Sequence, residues 1–188
     1  LDTPMYFIVR DNEYINMTNY TFRNFLEKKV VKKIEPTLAD WKVHLTTVFP
    51  EVRLKSFIEL RGADGGPWSR VCALPAFWTG ILYDQENLDE TWSKINHWKY
   101  TEIENFYQNV RKNGLNTITP DGEKLLDFTK KIINKSNDGL VRRNIRSNKG
   151  NESTFLEPLK KILESGKSPA EMWKKLFFSE WNNDIDML

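Results

Sequence analysis

The sequence predicts an α+β chain whose first third mixes strands and helices and whose remainder is mostly helical. Three observations carry this. The start, "MYFIVRDNEYINM", places two runs of aromatic and β-branched residues around a polar turn, the pattern of a β-hairpin. A second strand-like run, "VRLKSFIELR", lies between Pro50 and a glycine-rich turn. After it, apolar residues recur only at helical spacing. The organisation read from this is a strand-and-helix region over 1–66 and a helical region over 67–188.

The elements follow in order. "DNE" is the turn of the first hairpin. In "TFRNFLEKKV", Phe22, Phe25 and Leu26 share helical spacing behind Thr21 as N-cap. In "PTLADWKVHLTTVF", Thr37 caps a helix whose apolar stripe is Leu38, Trp41, Leu45 and Val48, and Pro50 ends it. The run from Val52 to Arg61 reads as one strand. "SRVCALPAFWTGILYD" reads as a buried helix kinked or broken near Pro75. "NLDETWSKINHWKY" is an amphipathic helix with Leu88, Trp92 and Ile95 inward, and "TEIENFYQNVRKNG" is a second, closed by Gly114. "TPDGEKLLDFTKKIINKS" starts with Pro120 in its first turn. "DGLVRRNIRSNKGNES" reads as a short helix and then a loop. "STFLEPLKKILESG" and "SPAEMWKKLFFSEW" are capped helices, and the tail "NNDIDML" is loose.

Composition narrows the function classes. Of 188 residues, 39% are hydrophobic and 13% aromatic, enough for a sizeable core. Lys plus Arg number 28 against 26 Asp plus Glu, so a net charge of +2 gives no global drive toward nucleic acid or an anionic membrane. No apolar stretch reaches the ~18–20 residues of a membrane span. Cys72 is the one cysteine, so no disulfide forms within the chain and no cysteine cluster binds zinc; it reads as core filler in a reducing, cytoplasmic protein. The chain opens without Met almost directly on a strand, which reads as a start inside a larger protein.

Familiar catalytic constellations are missing: there is no P-loop, no GxGxxG and no HExxH, and the histidines, His44 and His97, stand far apart. The strand over 52–61 is the unusual feature. Alternation puts Arg53, Lys55, Phe57, Glu59 and Arg61 on one face, and Val52, Leu54, Ser56, Ile58 and Leu60 on the other, backed by helices. Glu59 is a hard oxygen ligand suited to Mg²⁺. Arg61, roughly 7 Å along the strand, offers a planar fork suited to phosphate. Arg53 and Lys55 extend the positive charge. "GADGG" beyond it permits close backbone approach and positive φ. A solvated outer face fits the same pattern, and pattern alone leaves both readings open. His44 and Thr47 share a helix face near this strand, and Arg142, Arg143, Arg146 and Lys149 form a basic cluster; for each, a ligand contact stands beside a plain structural use.

The run "DWKVHLTTVFPEVRLKSFIELRGADGGPWSRVCALPAFWTGILYD" closely resembles the C-terminal portion of the plant and proteobacterial type of glutamate–cysteine ligase, and "LDTPMYFIVRDNEYI" and "FLEPLKKILESGKSPAEMWKK" extend the resemblance to nearly the whole chain. The resemblance implies part of a glutamine-synthetase-like curved antiparallel sheet followed by a helical region. It implies ATP and Mg²⁺ as cofactors, glutamate and cysteine as substrates, and a γ-glutamyl phosphate on the way to γ-glutamylcysteine, the first step of glutathione synthesis. "Glu59-Leu60-Arg61" matches the E-x-R pair of the wider superfamily, with Glu59 the metal ligand, Arg61 the phosphoryl-binding arginine, and Arg53 and Lys55 secondary anion contacts. Family members are more than twice this length. Their N-terminal half, with further acidic ligands, is then the natural partner, and this chain alone is expected to be inactive. Plant members carry regulatory disulfides that a single Cys72 cannot form within the chain. Two alternatives stand beside this: a related glutamate–amine ligase with another acceptor, and a non-catalytic module that binds a partner.

Overall fold

The computed structural model describes residues 1–30, 33–54, 56–148 and 150–187, and the chain divides into two units, Leu1–Asp64 and Gly65–Leu188. Helices and small antiparallel ribbons mix along the chain, as an α+β class requires. The strands among the described residues form three separate two-stranded ribbons.

In the first unit, β1 (Phe7–Arg10) pairs with β2 (Glu13–Asn16), with Arg10 opposite Glu13. Asp11 and Asn12 link them with φ of 49° and 64°. Two left-handed residues match the strand twist, and Asp and Asn tolerate that conformation better than most. The turn is therefore one residue shorter than "DNE", and Glu13 belongs to the ladder. α1 (Phe22–Leu26) and α2 (Leu38–Thr47) each start with a capping box: Thr21 with Asn24, and Thr37 with Asp40. Met5, Ile8, Met17, Phe22 and Phe25 form the core, with Trp41 packed against it.

The stripe predicted for α2 is not its buried face. Leu38 and Leu45 are exposed, while Asp40 and His44 are buried. Arg10 decides this by donating from Nη1 and Nη2 to Asp40, both at 2.7 Å. A buried carboxylate needs a charged partner, so the pair turns the Asp40 side of the helix inward.

The second unit holds α3 (Trp68–Leu82), α4 (Gln85–Ile95), α5 (Tyr100–Asn113), α6 (Leu125–Arg143), α7 (Glu157–Ser165) and α8 (Pro169–Phe178). α3 runs unbroken through Pro75, with Ala73, Ala76, Gly80 and Ile81 buried. It crosses α6 at very close range. A Cβ on Gly80 would lie 2.1 Å from the Ser136 carbonyl oxygen, and one on Gly139 would lie 2.2 Å from the Gly80 carbonyl oxygen. Asn87 of α4 fills the same crossing, donating from Nδ2 to the carbonyls of Gly80 (2.8 Å) and Lys135 (2.7 Å). That explains why Asn87 is buried and the predicted inward Trp92 is 62% exposed. Asp84 caps α4 at the Asn87 N–H and accepts two bonds from Arg142, each 2.8 Å.

Other expectations shift locally. α6 begins at Leu125, because Thr119 to Glu123 close a turn through Gly122, whose φ is 82°. Pro120 sits in that turn and not in the helix. α6 also absorbs "DGLVRR" and stops at Asn144 in the left-handed conformation. The loop expected next contains a short ribbon, β5 (Arg146–Ser147) with β6 (Gly150–Asn151), and the tail holds a 3₁₀ turn over Ile185–Met187. No described helix is long and apolar enough to cross a membrane.

Two outcomes follow. Gly139→Ala should destabilise the chain by about 1–3 kcal/mol through overpacking, whereas Gly65→Ala, whose Cβ would meet nothing within 4 Å, should change it by less than about 0.5 kcal/mol; urea unfolding measures both. The Arg142 bonds hold the Asp84 carboxyl down to about 2, below its ordinary 3.8. A depressed carboxyl contributes stability that is whole above pH 3.8 and is lost as pH falls toward 2. Asp84→Asn should flatten that acid limb in pH-dependent melting curves.

Candidate functional site

The predicted single strand is a hairpin: β3 (Val52–Leu54) pairs antiparallel with β4 (Ile58–Leu60), placing Arg53 opposite Glu59. The grouping of side chains survives, because a register that pairs 53 with 59 sets odd residues against odd ones. The chain reaches β3 from α2 through Phe49 and Pro50. A residue before proline is confined to extended backbone, so Phe49 leaves the helix there.

Three charged side chains meet on this hairpin. Arg53 donates from Nε to Glu59 Oε2 at 2.7 Å, and Arg61 donates from Nη1 to Glu59 Oε1 at 3.1 Å. Arg53 Nη1 also reaches the carbonyls of Thr46 (2.9 Å) and Val48 (3.4 Å). These are carbonyls that the end of α2 leaves without a helical partner. Arg53 thus clamps the helix end to the hairpin, with its side chain only 13% exposed. The Phe49 ring lies beneath both guanidinium groups, 4.9 Å from Arg61 Cζ and 5.9 Å from Arg53 Cζ. Lys55 lies outside the described residues.

The opposite hairpin face departs from expectation. Val52, Leu54 and Ile58 are 54%, 80% and 62% exposed, so the expected backing by helices does not bury them. The glycine turn departs too, since neither Gly62, Gly65 nor Gly66 has a positive φ. A Cβ on Gly62 would meet only the movable end of the Glu51 side chain, 2.7 Å from Oε2, while Arg61 N–H donates to the Glu51 carbonyl at 2.8 Å and extends the pairing.

Glu59 can serve Mg²⁺ as one ligand of several. Among the described residues no three His, Cys, Asp or Glu side chains gather as a metal site. A carboxylate has about four acceptor positions, and Arg53 and Arg61 each take one, on opposite oxygens. Mg²⁺ commonly takes one or two carboxylates and completes its octahedron with phosphate oxygens and water, and the donor set fits that minimal role.

Other candidates resolve into structural uses. The hydroxyls of Thr46 and Thr47 donate back to the Val43 and His44 carbonyls. Arg142 is engaged by Asp84; Arg143 pairs with Glu152 at 3.5 Å; Arg146 donates to Asn144. Lys149 lies outside the described residues. His97 pairs with Asp121 at 2.7 Å, and the small cavity that Cys72 lines contains no histidine. His44 is the feature sequence reasoning underweighted. It is buried, stacks on Phe22 with centroids 5.2 Å apart, and leaves Nδ1 without a hydrogen-bond partner. It lines a cavity of about 670 Å³ with Trp41, Val48, Pro50, Val52 and Leu54.

Burial holds the His44 imidazole below its ordinary value of 6.5. The unfolded chain then binds the proton more readily, so stability is whole above pH 6.5 and falls as pH drops below it. His44→Phe should remove that dependence, seen as equal melting temperatures at two pH values on either side of 6.5 where the parent chain differs. Removing the clamp by Arg53→Met should cost about 1–3 kcal/mol, because a half-buried Glu59 loses one of its charged partners and the α2 carbonyls lose their donor; urea unfolding of the variant checks it.

Comparison with known proteins gives one consistent result. The family described as Glutamate-cysteine ligase family 2 (GCS2) matches residues 1–186. The chain is 43% identical over 188 residues to the chloroplastic glutamate–cysteine ligase of Medicago truncatula, covering 99% of this chain and 36% of that protein. It is 43% identical to glutamate–cysteine ligase A, chloroplastic, of Oryza sativa subsp. indica, covering 37% of it, and 42% identical to the chloroplastic enzyme of Arabidopsis thaliana, covering 35%. The chain thus spans a little over a third of the length of the curated relatives it matches. Their chloroplastic location overturns the cytoplasmic expectation, which rested on a lone cysteine, and cysteine count reports disulfide content and not compartment. With the family matched from the first residue to the 186th, the chain belongs to glutamate–cysteine ligase family 2.

Proposed function

We propose that this chain forms part of an ATP-dependent ligase that joins the γ-carboxylate of glutamate to the amine of cysteine, in the plastid, at the start of glutathione synthesis. The observation that carries this is the family match across residues 1–186. The Arg53–Glu59–Arg61 cluster supports it, since it presents guanidinium and carboxylate groups on one hairpin face. In this reading the hairpin joins a larger curved antiparallel sheet. The exposed Val52, Leu54 and Ile58 are then covered by parts of the enzyme that the relatives' greater length supplies.

The chemistry runs in two balanced steps. The glutamate γ-carboxylate attacks the terminal phosphorus of ATP, giving γ-glutamyl phosphate and ADP. The cysteine amine then attacks the acyl carbon, the acyl–oxygen bond breaks, phosphate leaves, and the amine loses its proton. Both steps build negative charge on phosphoryl and acyl oxygens, so fixed cationic donors lower the barrier more than proton-transfer groups do. Arg61 supplies such a donor to the transferred phosphoryl group. Glu59 orients Arg61 and offers one oxygen to Mg²⁺. When bound, Mg²⁺ neutralises phosphate charge and aligns the nucleotide. Arg53 acts through Glu59 and the end of α2.

Glu59→Gln, placed in a ligase of the relatives' length that carries this segment, should lower kcat by roughly 100-fold or more with the fold retained by circular dichroism. Near-normal turnover would remove Glu59 from the site. The 188-residue chain alone should release no measurable phosphate from ATP with glutamate and cysteine.

A further inference from the structure

Phe49 has no part in the roles assigned above, yet both arginines of the cluster lie over its ring. It is 57% exposed, so its ring is open to solvent beside the two arginines. Both guanidinium groups of the cluster lie within 6 Å of its centroid, at 4.9 and 5.9 Å, the range in which a ring face attracts a cation. Tyr6 flanks it at 6.3 Å between centroids, and Pro50 restricts its backbone.

Arg61 shows why a ring matters. One bond, Nη1 to Glu59 at 3.1 Å, ties it to the hairpin. A single tether leaves the guanidinium plane free to swing about that bond. Nε and Nη2 make no hydrogen bond among the described residues, and the side chain is 28% exposed. A second fixed point is needed to aim those remaining donors, and the Phe49 face supplies it. Arg53 needs this less, since Glu59 and the α2 carbonyls already hold it at three points.

We infer that Phe49 is a positioning residue: its ring carries the Arg61 guanidinium and aims the Nε and Nη2 donors at a phosphate-bearing ligand. The ligand part rests on the phosphoryl role proposed for Arg61; the positioning part stands on the ring contact alone.

The test uses nuclear magnetic resonance on this chain. The Arg61 Nε–H signal, assigned by its loss in Arg61→Lys, should lie upfield in the parent through the Phe49 ring current. Phe49→Leu should move it to the position of an unstacked arginine, and Phe49→Tyr should restore it. Titration with inorganic triphosphate should shift the same signal, with affinity weakened roughly two- to five-fold in Phe49→Leu, the factor of an exposed cation–π contact, and recovered in Phe49→Tyr. An Arg61 signal unmoved by Phe49→Leu overturns the inference, and so does unchanged affinity in a variant whose signal has moved. If triphosphate fails to bind even the parent chain, the phosphoryl reading of Arg61 falls, while the ring-current result still decides the positioning. The amides of Ile8 and Phe25 in the core report folding. Should Phe49→Leu lose them, Phe49→Trp takes its place: its stronger ring face should move the signal and tighten triphosphate binding, and no change in either overturns the inference.

Discussion

Glu59 holds two guanidinium groups on one carboxylate, one oxygen each. Through Arg53 that carboxylate is linked to the C-terminal end of α2, and through Arg61 to the last residue of the hairpin. Two short strands alone are barely stable in water, so this linkage is what ties β3 and β4 to the unit. The side chains involved are 13% to 29% exposed. At that depth charges attract more strongly than on a surface, but desolvation offsets much of the gain. The contribution of the cluster is therefore geometry more than net stability. It gathers two cations and an anion on one hairpin face.

The second unit follows another constraint, backbone proximity. α3 and α6 approach so closely at Gly80 and Gly139 that carbonyl oxygens occupy the space of a methyl group. Close approach puts carbonyls near one another in a dry crossing, where they need extra donors. Asn87 and Ser136 provide them, the latter donating to the Phe77 carbonyl at 2.8 Å. A buried asparagine is thus the consequence of two glycines, and Arg142 on Asp84 fixes the helix that carries it. Pro75 is tolerated inside α3 in the same packed setting.

Much of this was readable in the sequence wherever local chemistry decides the outcome. Thr21, Thr37 and Ser168 cap the helices expected of them, and Gly114 and Gly166 end theirs. The Asp11–Asn12 turn joins the first two strands. The ligase-like motif was legible as a run of specific residues. The grouping of the cluster was legible in parity: Arg53, Glu59 and Arg61 share a face whether the segment is one strand or a folded pair. Less visible was how Arg53 would be used, because its helix-end acceptors lie on another element and no spacing rule links them. The same holds for Phe49, which reads as an ordinary apolar residue before a proline.

By itself the sequence determined the caps, the turns, the odd-residue grouping on the hairpin and the family, since each depends on residues a few positions apart or on identity along the chain. Tertiary structure alone decided which side of α2 is buried, where α6 begins, that 52–61 folds back on itself, and that Asn87 and not Trp92 faces inward. The buried sides of α2 and α4 turn on a partner distant in sequence, Arg10 for Asp40 and Lys135 for Asn87, while the α6 start and the hairpin depend on local bonds that the residue pattern did not single out. A buried charge or carbonyl is satisfied before an apolar stripe is hidden, because leaving it unpaired costs more than exposing a leucine.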